Sequence, residues 1–325
     1  MHRLAALAVL LTALVLPASS AAAAGTTFPP GFPTILDASL GTPVIGFGGS
    51  GRVKRTPVIL LHGNNDTPYP TVCNPFGDVQ ALADHLLANG YAPSEVWALG
   101  YQGDQCDLLA DQTIRSGVSH TTLANVPDLR AFVRNVLAFT GAKRVDIVGH
   151  SLGVTLAREW MRQDHANHLV RRFVAIDGPN HGIVNCSPNP LNYWQAPALG
   201  GFTPDSPVCR EYGAADTPFL SRLNRGREAH GPTDTLTIRN ADASFVYISV
   251  QDGVLTPVPA EDRLGRPHDF SQSARLEGAP NVDLTGQGAF DPILGTGHLG
   301  ILNSPQTRAL TLAWLTGSER DVHRP

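Results

Sequence analysis

The chain has 325 residues, 42% of them hydrophobic and 16% charged, with a formal net charge of −4 at pH 7. That balance suits one large α/β domain or two small ones and gives no basic field for a nucleic-acid partner. No internal repeat, low-complexity tail or charge block follows the first residues.

The N-terminus reads as a leader. His2 and Arg3 make a short basic start, Leu4 to Leu16 is an apolar run interrupted only by Thr12, and small residues follow up to Ala24. The run fits the core of a signal peptide and falls short of a membrane span, with cleavage expected after Ala23 or Ala24. Residues 1–24 are therefore expected to be removed, and residues 25–325 to form a secreted protein without stable membrane insertion. Four cysteines remain, Cys73, Cys106, Cys186 and Cys209. An even count in an exported chain suggests two disulfides, with three pairings open. Their spacing matches no zinc motif, and neither a metal nor a cofactor is expected.

Further along, residues 26–54 are rich in Gly and Pro, with room for a weak first strand. Residues 55–63 (RTPVILLHG) read as a strand ending in His62-Gly63. Val79, Leu82, Ala83, Leu86 and Leu87 mark one face of a helix that Gly90 stops. Residues 96–100 form a second strand. Leu129, Phe132, Val133, Val136 and Leu137 repeat the helical pattern, closed by Gly141. Val145, Ile147 and Val148 are a third strand, and Leu152, Leu156, Trp160 and Met161 recur at helical spacing directly after it. Strands are expected at 172–177 and 245–250, with a short one at 280–284. Ser304-Pro305 reads as an N-cap and first-turn proline of a last helix running to about residue 314. Alternating strands and helices argue a mostly parallel sheet with helices on both faces. The stretch 183–237 breaks that rhythm. It carries Tyr193, Trp194, Leu199 and Phe202 close together in a segment with few charges, and is expected to be a cap over the site.

Gly149-His150-Ser151-Leu152-Gly153 sits where the third strand becomes a helix. A turn that sharp brings backbones close, and glycine has no Cβ to clash. Ser151 at its tip is expected to be strained, with its hydroxyl outward, as in a Gly-x-Ser-x-Gly nucleophile elbow. The plain alternative is that Ser151 merely caps the helix.

With these segments in view, the chain resembles the α/β-hydrolase family, and within it the exported bacterial class 2 lipases; some extracellular polyhydroxyalkanoate depolymerases share the pattern. The likeness rests on PVILLHGN (57–64), VGHSLG (148–153), DGPNHG (177–182), SVQDGVLTP (249–257) and GHLGIL (297–302), and covers roughly residues 56–315. It implies a triad in the order Ser, acid, His. Ser151 is the expected nucleophile. His298, in a glycine-rich loop before the last helix, is the expected base, with His181 its rival. Asp252, in the Asp-Gly-Val-x-Thr-Pro motif, is the expected acid, with Asp177 second. The backbone N–H groups of Leu152 and Asn64 are the expected oxyanion donors. His62 and His150 are read as structural. The fold also implies how the cysteines pair. Cys73 and Cys106 follow neighbouring strands and Cys186 and Cys209 share the cap, so 73–106 and 186–209 are expected.

The function implied is hydrolysis of hydrophobic carboxylic esters through an acyl-enzyme. Tyr193, Trp194, Leu199 and Phe202 would supply an apolar acyl pocket for a lipid or polyester substrate. A polyhydroxyalkanoate depolymerase is the alternative, and an exported acyltransferase a further one. A non-catalytic protein on the same scaffold is disfavoured by the intact Ser151, Asp252 and His298. The oligomeric state stays open.

Overall fold

The structure is a computed structural model that describes residues 25, 27–229, 231–241, 248–251, 254–257, 260–287 and 297–317. The leader read at 1–24 lies outside them. Among the described residues, nine strands and seven α-helices run in the order β1 (Ile45–Phe47), β2 (Val58–Leu61), α1 (Asp78–Ala88), β3 (Val96–Gly100), α2 (Asp107–Ala110), α3 (Thr122–Thr140), β4 (Val145–His150), α4 (Leu152–Gln163), β5 (Val170–Ile176), α5 (Pro207–Tyr212), α6 (Pro218–Leu223), β6 (Asp234–Asn240), β7 (Ile248–Gln251), β8 (Val254–Pro257), β9 (Asn281–Leu284) and α7 (Pro305–Thr316). Seven strands form one sheet in the order β1-β3-β2-β4-β5-β6-β9. All its pairings are parallel except that of β1 with β3. This is the α/β-hydrolase architecture.

Successive strand residues face opposite sides of a sheet, so a strand buried on both faces is apolar at every position. Ile59, Leu61, Ile147, Phe173 and Ala175 join one core with α3 and α4, through Leu129, Phe132, Leu156 and Trp160. Val58, Leu60, Val148, Val174 and Ile176 join the other with α1 and α7, through Leu82, Leu86, Trp314 and Leu315. β4 thus lies near the middle of the sheet, covered on both sides, and delivers Ser151 at its C-terminal edge. The helix ends follow local chemistry. α3 stops at Gly141 and α7 at Gly317, both at positive φ, and Ser304 caps α7 ahead of Pro305.

The region after β5 differs from the sequence reading. The strand that follows in the sheet is β6, within and just past the end of the stretch read as cap. The segment expected as that strand instead contributes β7, which pairs with β8 as an antiparallel hairpin outside the main sheet. Its apolar look promoted it; the polar DTLTIRN of β6 hid a strand whose Arg239 pairs with Asp283 of β9 at 2.7 Å.

Both disulfides form as expected, Cys73–Cys106 and Cys186–Cys209. The cap between β5 and β6 is nonetheless fastened to the body. Val208, Cys209, Tyr212, Phe219, Leu220 and Leu223 are buried in the α3/α4 core. The first N–H groups of a helix lack intrahelical acceptors, and here each finds one. Thr121 N–H reaches Val118 O and Ala124 N–H the Thr121 hydroxyl, while Glu211 of the cap accepts from Thr122 (2.7 Å) and Leu123 (3.2 Å). A carboxylate at a helix N-terminus is also favoured by the helix dipole. Tyr212 adds a hydrogen bond between its hydroxyl and that of Thr155 at 2.7 Å. Glu211→Ala should therefore cost about 1–3 kcal/mol in urea unfolding, since the buried Thr122 donor and the part-buried Leu123 donor lose their acceptor. It should also speed limited proteolysis between residues 183 and 233. An unchanged midpoint and cleavage rate would show that the cap is held by apolar packing alone.

Candidate active site

Four chain segments meet at the C-terminal edge of the sheet: the β2 end at His62–Asn65, the β4–α4 turn at Ser151, the β5 end at Asp177, and the turn carrying His298 before α7. Ser151 has φ 51° and ψ −123°, and its side chain makes no helix-capping hydrogen bond. The capping alternative is thereby excluded. Its N–H donates to Ile176 O at 2.9 Å, which fastens the turn to β5. The flanking glycines are required by contact. A Cβ on Gly149 would sit 2.8 Å from the Gly153 carbonyl, and one on Gly153 would sit 2.6 Å from His62 O. A Cβ on Gly63 would come within 3.0 Å of the Ser151 Cβ, so the β2 loop passes directly over the serine.

His298 is mostly buried, with its Nδ1 3.0 Å from Asp177 Oδ2. Asp177 itself is fully buried at the end of β5, with φ 48°. Its N–H donates to Ile238 O at 2.8 Å, and its Oδ1 accepts from Asn240 N–H at 3.1 Å. Both contacts come from β6, so the strand hidden in the sequence is what places this carboxylate. Asp252, the carboxylate favoured by its motif, lies outside the described residues. His181, the rival base, lies 2.8 Å from Glu228 Oε1 and 3.2 Å from the Ser273 carbonyl.

Three other histidines, one preceding the serine and two in or against the β2 loop, are buried and so held neutral. Burial pushes His62 down to about 4 and His120 and His150 down to about 3. His62 Nδ1–H donates to Gly63 O at 2.8 Å, its ring stacks on Tyr101 at 4.2 Å, and the Tyr101 hydroxyl donates to its carbonyl. This bears out His62 as a structural residue of the β2 loop. Asn64 is fixed through its side chain. Its Oδ1 accepts from Gln102 Nε2 at 3.2 Å and from His120 Nδ1–H at 2.9 Å, while its Nδ2 donates to Arg115 O at 3.3 Å. Gln102 Oε1 accepts in turn from Asn65 N–H at 3.3 Å. Gln102 has φ 70°, an uncommon conformation for a non-glycine residue and one that gathers at functional sites. Gln102 and His120 were not foreseen. The local signal for Gln102 is its place two residues past the end of β3.

Of the cap residues expected to line a pocket, Phe202 is buried in the α3/α4 core and Trp194 is half-buried beside it, their rings edge-on with centroids 6.3 Å apart. Tyr193 opens one short helical turn, Tyr193–Gln195, and Leu199 closes the next, Pro197–Leu199. Phe202 thus packs the cap onto the body.

The model of the lipase (class 2) family matches residues 55–253, more than half of the chain. The chain belongs to the class 2 lipase family. Among solved structures, the chain is similar to lipase B of Aspergillus fumigatus, with 20% identity over 85% of this chain and a TM-score of 0.52. It is also similar to the Bacillus licheniformis lipase BlEst2 in its propeptide form, with 18% identity over 83% of this chain and a TM-score of 0.51. The chain spans 57% of the first of those proteins and 52% of the second. At such identities the likeness concerns the fold. No helix among the described residues is long and apolar enough to cross a membrane.

The neutral histidines set an acid limit on stability. Unfolded, His120 takes a proton near its ordinary 6.5; folded, it does so only near 3. It therefore withdraws stability as the pH falls from about 6.5 towards 3, by at most about 1.4 kcal/mol per pH unit. His120→Gln should lose stability less steeply than the wild type between pH 6 and pH 4, whatever its offset at pH 7. Denaturant midpoints that fall in parallel would show that His120 is not held neutral.

Proposed function

We propose that this class 2 lipase is a secreted serine ester hydrolase that cleaves apolar carboxylic esters through an acyl-enzyme. The observation that carries the reading is the buried Asp177 carboxylate 3.0 Å from His298 Nδ1, beside a serine held at positive φ on the β4–α4 turn. Ser151 Oγ attacks the ester carbonyl as His298 Nε2 takes its proton. Asp177 keeps the Nδ1–H tautomer and stabilises the imidazolium. The oxyanion is met by the N–H groups of Leu152 and Asn64. Leu152 is the first residue of α4, where N–H groups have no intrahelical acceptor. Asn64 is supported by the fixation of its side chain and by the passage of its loop over Ser151. Collapse expels the alcohol with the proton from His298, and water, deprotonated by the same ring, then releases the acid and frees Ser151.

The lipid class of substrate is supported by the family and by the aromatic cap near the sheet edge, with Trp194 the half-buried candidate for acyl contact. The Cys73–Cys106 and Cys186–Cys209 bonds and the leader-like residues 1–24 support secretion. A second reading of the acid, Asp252, is carried by its Asp-Gly-Val-x-Thr-Pro motif alone.

Kinetics separates these claims. Ser151→Ala should abolish hydrolysis of p-nitrophenyl esters while leaving the fold intact. Asp177→Asn should lower kcat by about 10⁴, as loss of the orienting carboxylate does in related triads, and Asp252→Asn by less than about tenfold. The reverse ranking would move the acid to Asp252; an active Ser151→Ala protein would sink the mechanism. On a panel from acetate to long acyl chains and solid polyhydroxyalkanoate, kcat/KM should rise beyond acetate. A preference for acetate would exclude an apolar acyl site.

A further inference from the structure

We propose that His150, the residue before the nucleophile, is a positioning residue that ties the loop of the catalytic base to the nucleophile turn through the main-chain carbonyl of His298. This inference rests on the assignment of Ser151 and His298 above and adds a residue that assignment does not use. His150 Nε2 lies 2.8 Å from His298 O, and the two rings are 4.8 Å apart. A carbonyl only accepts, so the proton of His150 is on Nε2. Burial, which pushes the ring down to about 3, removes it as a base and keeps that one tautomer in place throughout the neutral range.

The placement explains why a histidine stands here. Its backbone is the last residue of β4 and is covalently joined to Ser151. Its side chain reaches the next functional loop and hydrogen-bonds to the very residue whose ring must meet Ser151. The opposite edge of the ring faces the oxyanion loop, where a Cβ on Gly63 would come 3.2 Å from His150 Nδ1. One rigid ring thus spaces nucleophile, base and oxyanion loop from one another. Its Nδ1 is buried with no hydrogen-bond partner among the described residues. A buried acceptor left unpaired is destabilising. Stability alone would favour an apolar ring at this position, so the imidazole is retained for the bond its other nitrogen makes.

The contact sets an angle as well as a distance. Asp177 holds the His298 ring at Nδ1. The His150 bond fixes the main chain of the same residue, and the two together determine where Nε2 points. Misplacing a reacting group by about 1 Å can cost on the order of 100-fold in rate.

The test uses His150→Gln, whose amide places an N–H near the Nε2 position, with His150→Phe, which keeps ring volume without a donor, and His150→Asn, too short to reach. Rates on a p-nitrophenyl ester are expressed per active site, counted by titration with a p-nitrophenyl phosphonate. His150→Phe and His150→Asn should each lower kcat by about 10–100-fold with KM within about twofold of the wild type. His150→Gln should recover most of that loss. A per-site kcat within twofold of the wild type in either donor-less variant would overturn the proposal. So would a His150→Gln protein no better than His150→Phe, or a fall only in the number of titratable sites, which mark a packing role. Should His150→Phe fail to fold, His150→Asn and His150→Gln carry the same comparison. A wild type that hydrolyses no ester and takes no phosphonate would instead contradict the functional reading itself.

Discussion

The strained backbone of Ser151 is the constraint on which the rest of the site depends. A non-glycine residue at φ 51° and ψ −123° costs on the order of 1–3 kcal/mol and persists only where its surroundings over-determine it. Here they do. β4 is buried on both faces, Ser151 N–H is tied to Ile176 O, and α4 begins at once with Gly153 pressed against the carbonyls of Leu61 and His62. Relaxing the turn would drive α4 into β2 or pull β4 from the sheet. The strain is thus held by the central packing of the domain, and the hydroxyl is presented where the parallel strands end.

Around that fixed point the polar groups form a pre-arranged shell. His62, His120 and His150 are all denied a charge by burial, so each serves as a rigid donor in one tautomer. Asn64 is held from both sides and Asp177 accepts from His298 and from β6. Groups aimed in advance need little reorganisation when charge develops, and this is where most of the stabilisation of an oxyanion arises. The cap is part of the same frame. Glu211 closes the N-terminus of α3, and Ser116, one residue from the Arg115 carbonyl that receives the Asn64 amide, donates to Gly201 O of the cap at 3.0 Å.

Much of this was legible in the sequence because its causes are local. The elbow, β3, the start of α7 and the His298 loop are each marked by a glycine, a proline or an apolar run in place. The disulfides followed once the strand neighbours were set. What failed were features decided by partners far along the chain. β6 looks polar because Thr237 and Arg239 spend their side chains on Asn281 and Asp283 of β9, which the sequence does not reveal. With β6 hidden, the sequence shows no strand to hold Asp177; Asp252, favoured by its motif, lies outside the described residues. Gln102 and His120 reach Asn64 from 38 and 56 residues away, a convergence that only the folded sheet edge produces. Phe202 was read by composition as a pocket residue, whereas burial assigns it to the core.

The most direct measurement is the crystal structure of the protein inhibited by a p-nitrophenyl alkylphosphonate, a tetrahedral mimic of the first intermediate. The account predicts phosphorus bonded to Ser151 Oγ, its oxygen within about 3.1 Å of both the Leu152 and Asn64 nitrogens, and the His298 ring still on Asp177. An adduct on any other residue, or a phosphonyl oxygen turned away from Leu152 and Asn64, would contradict it.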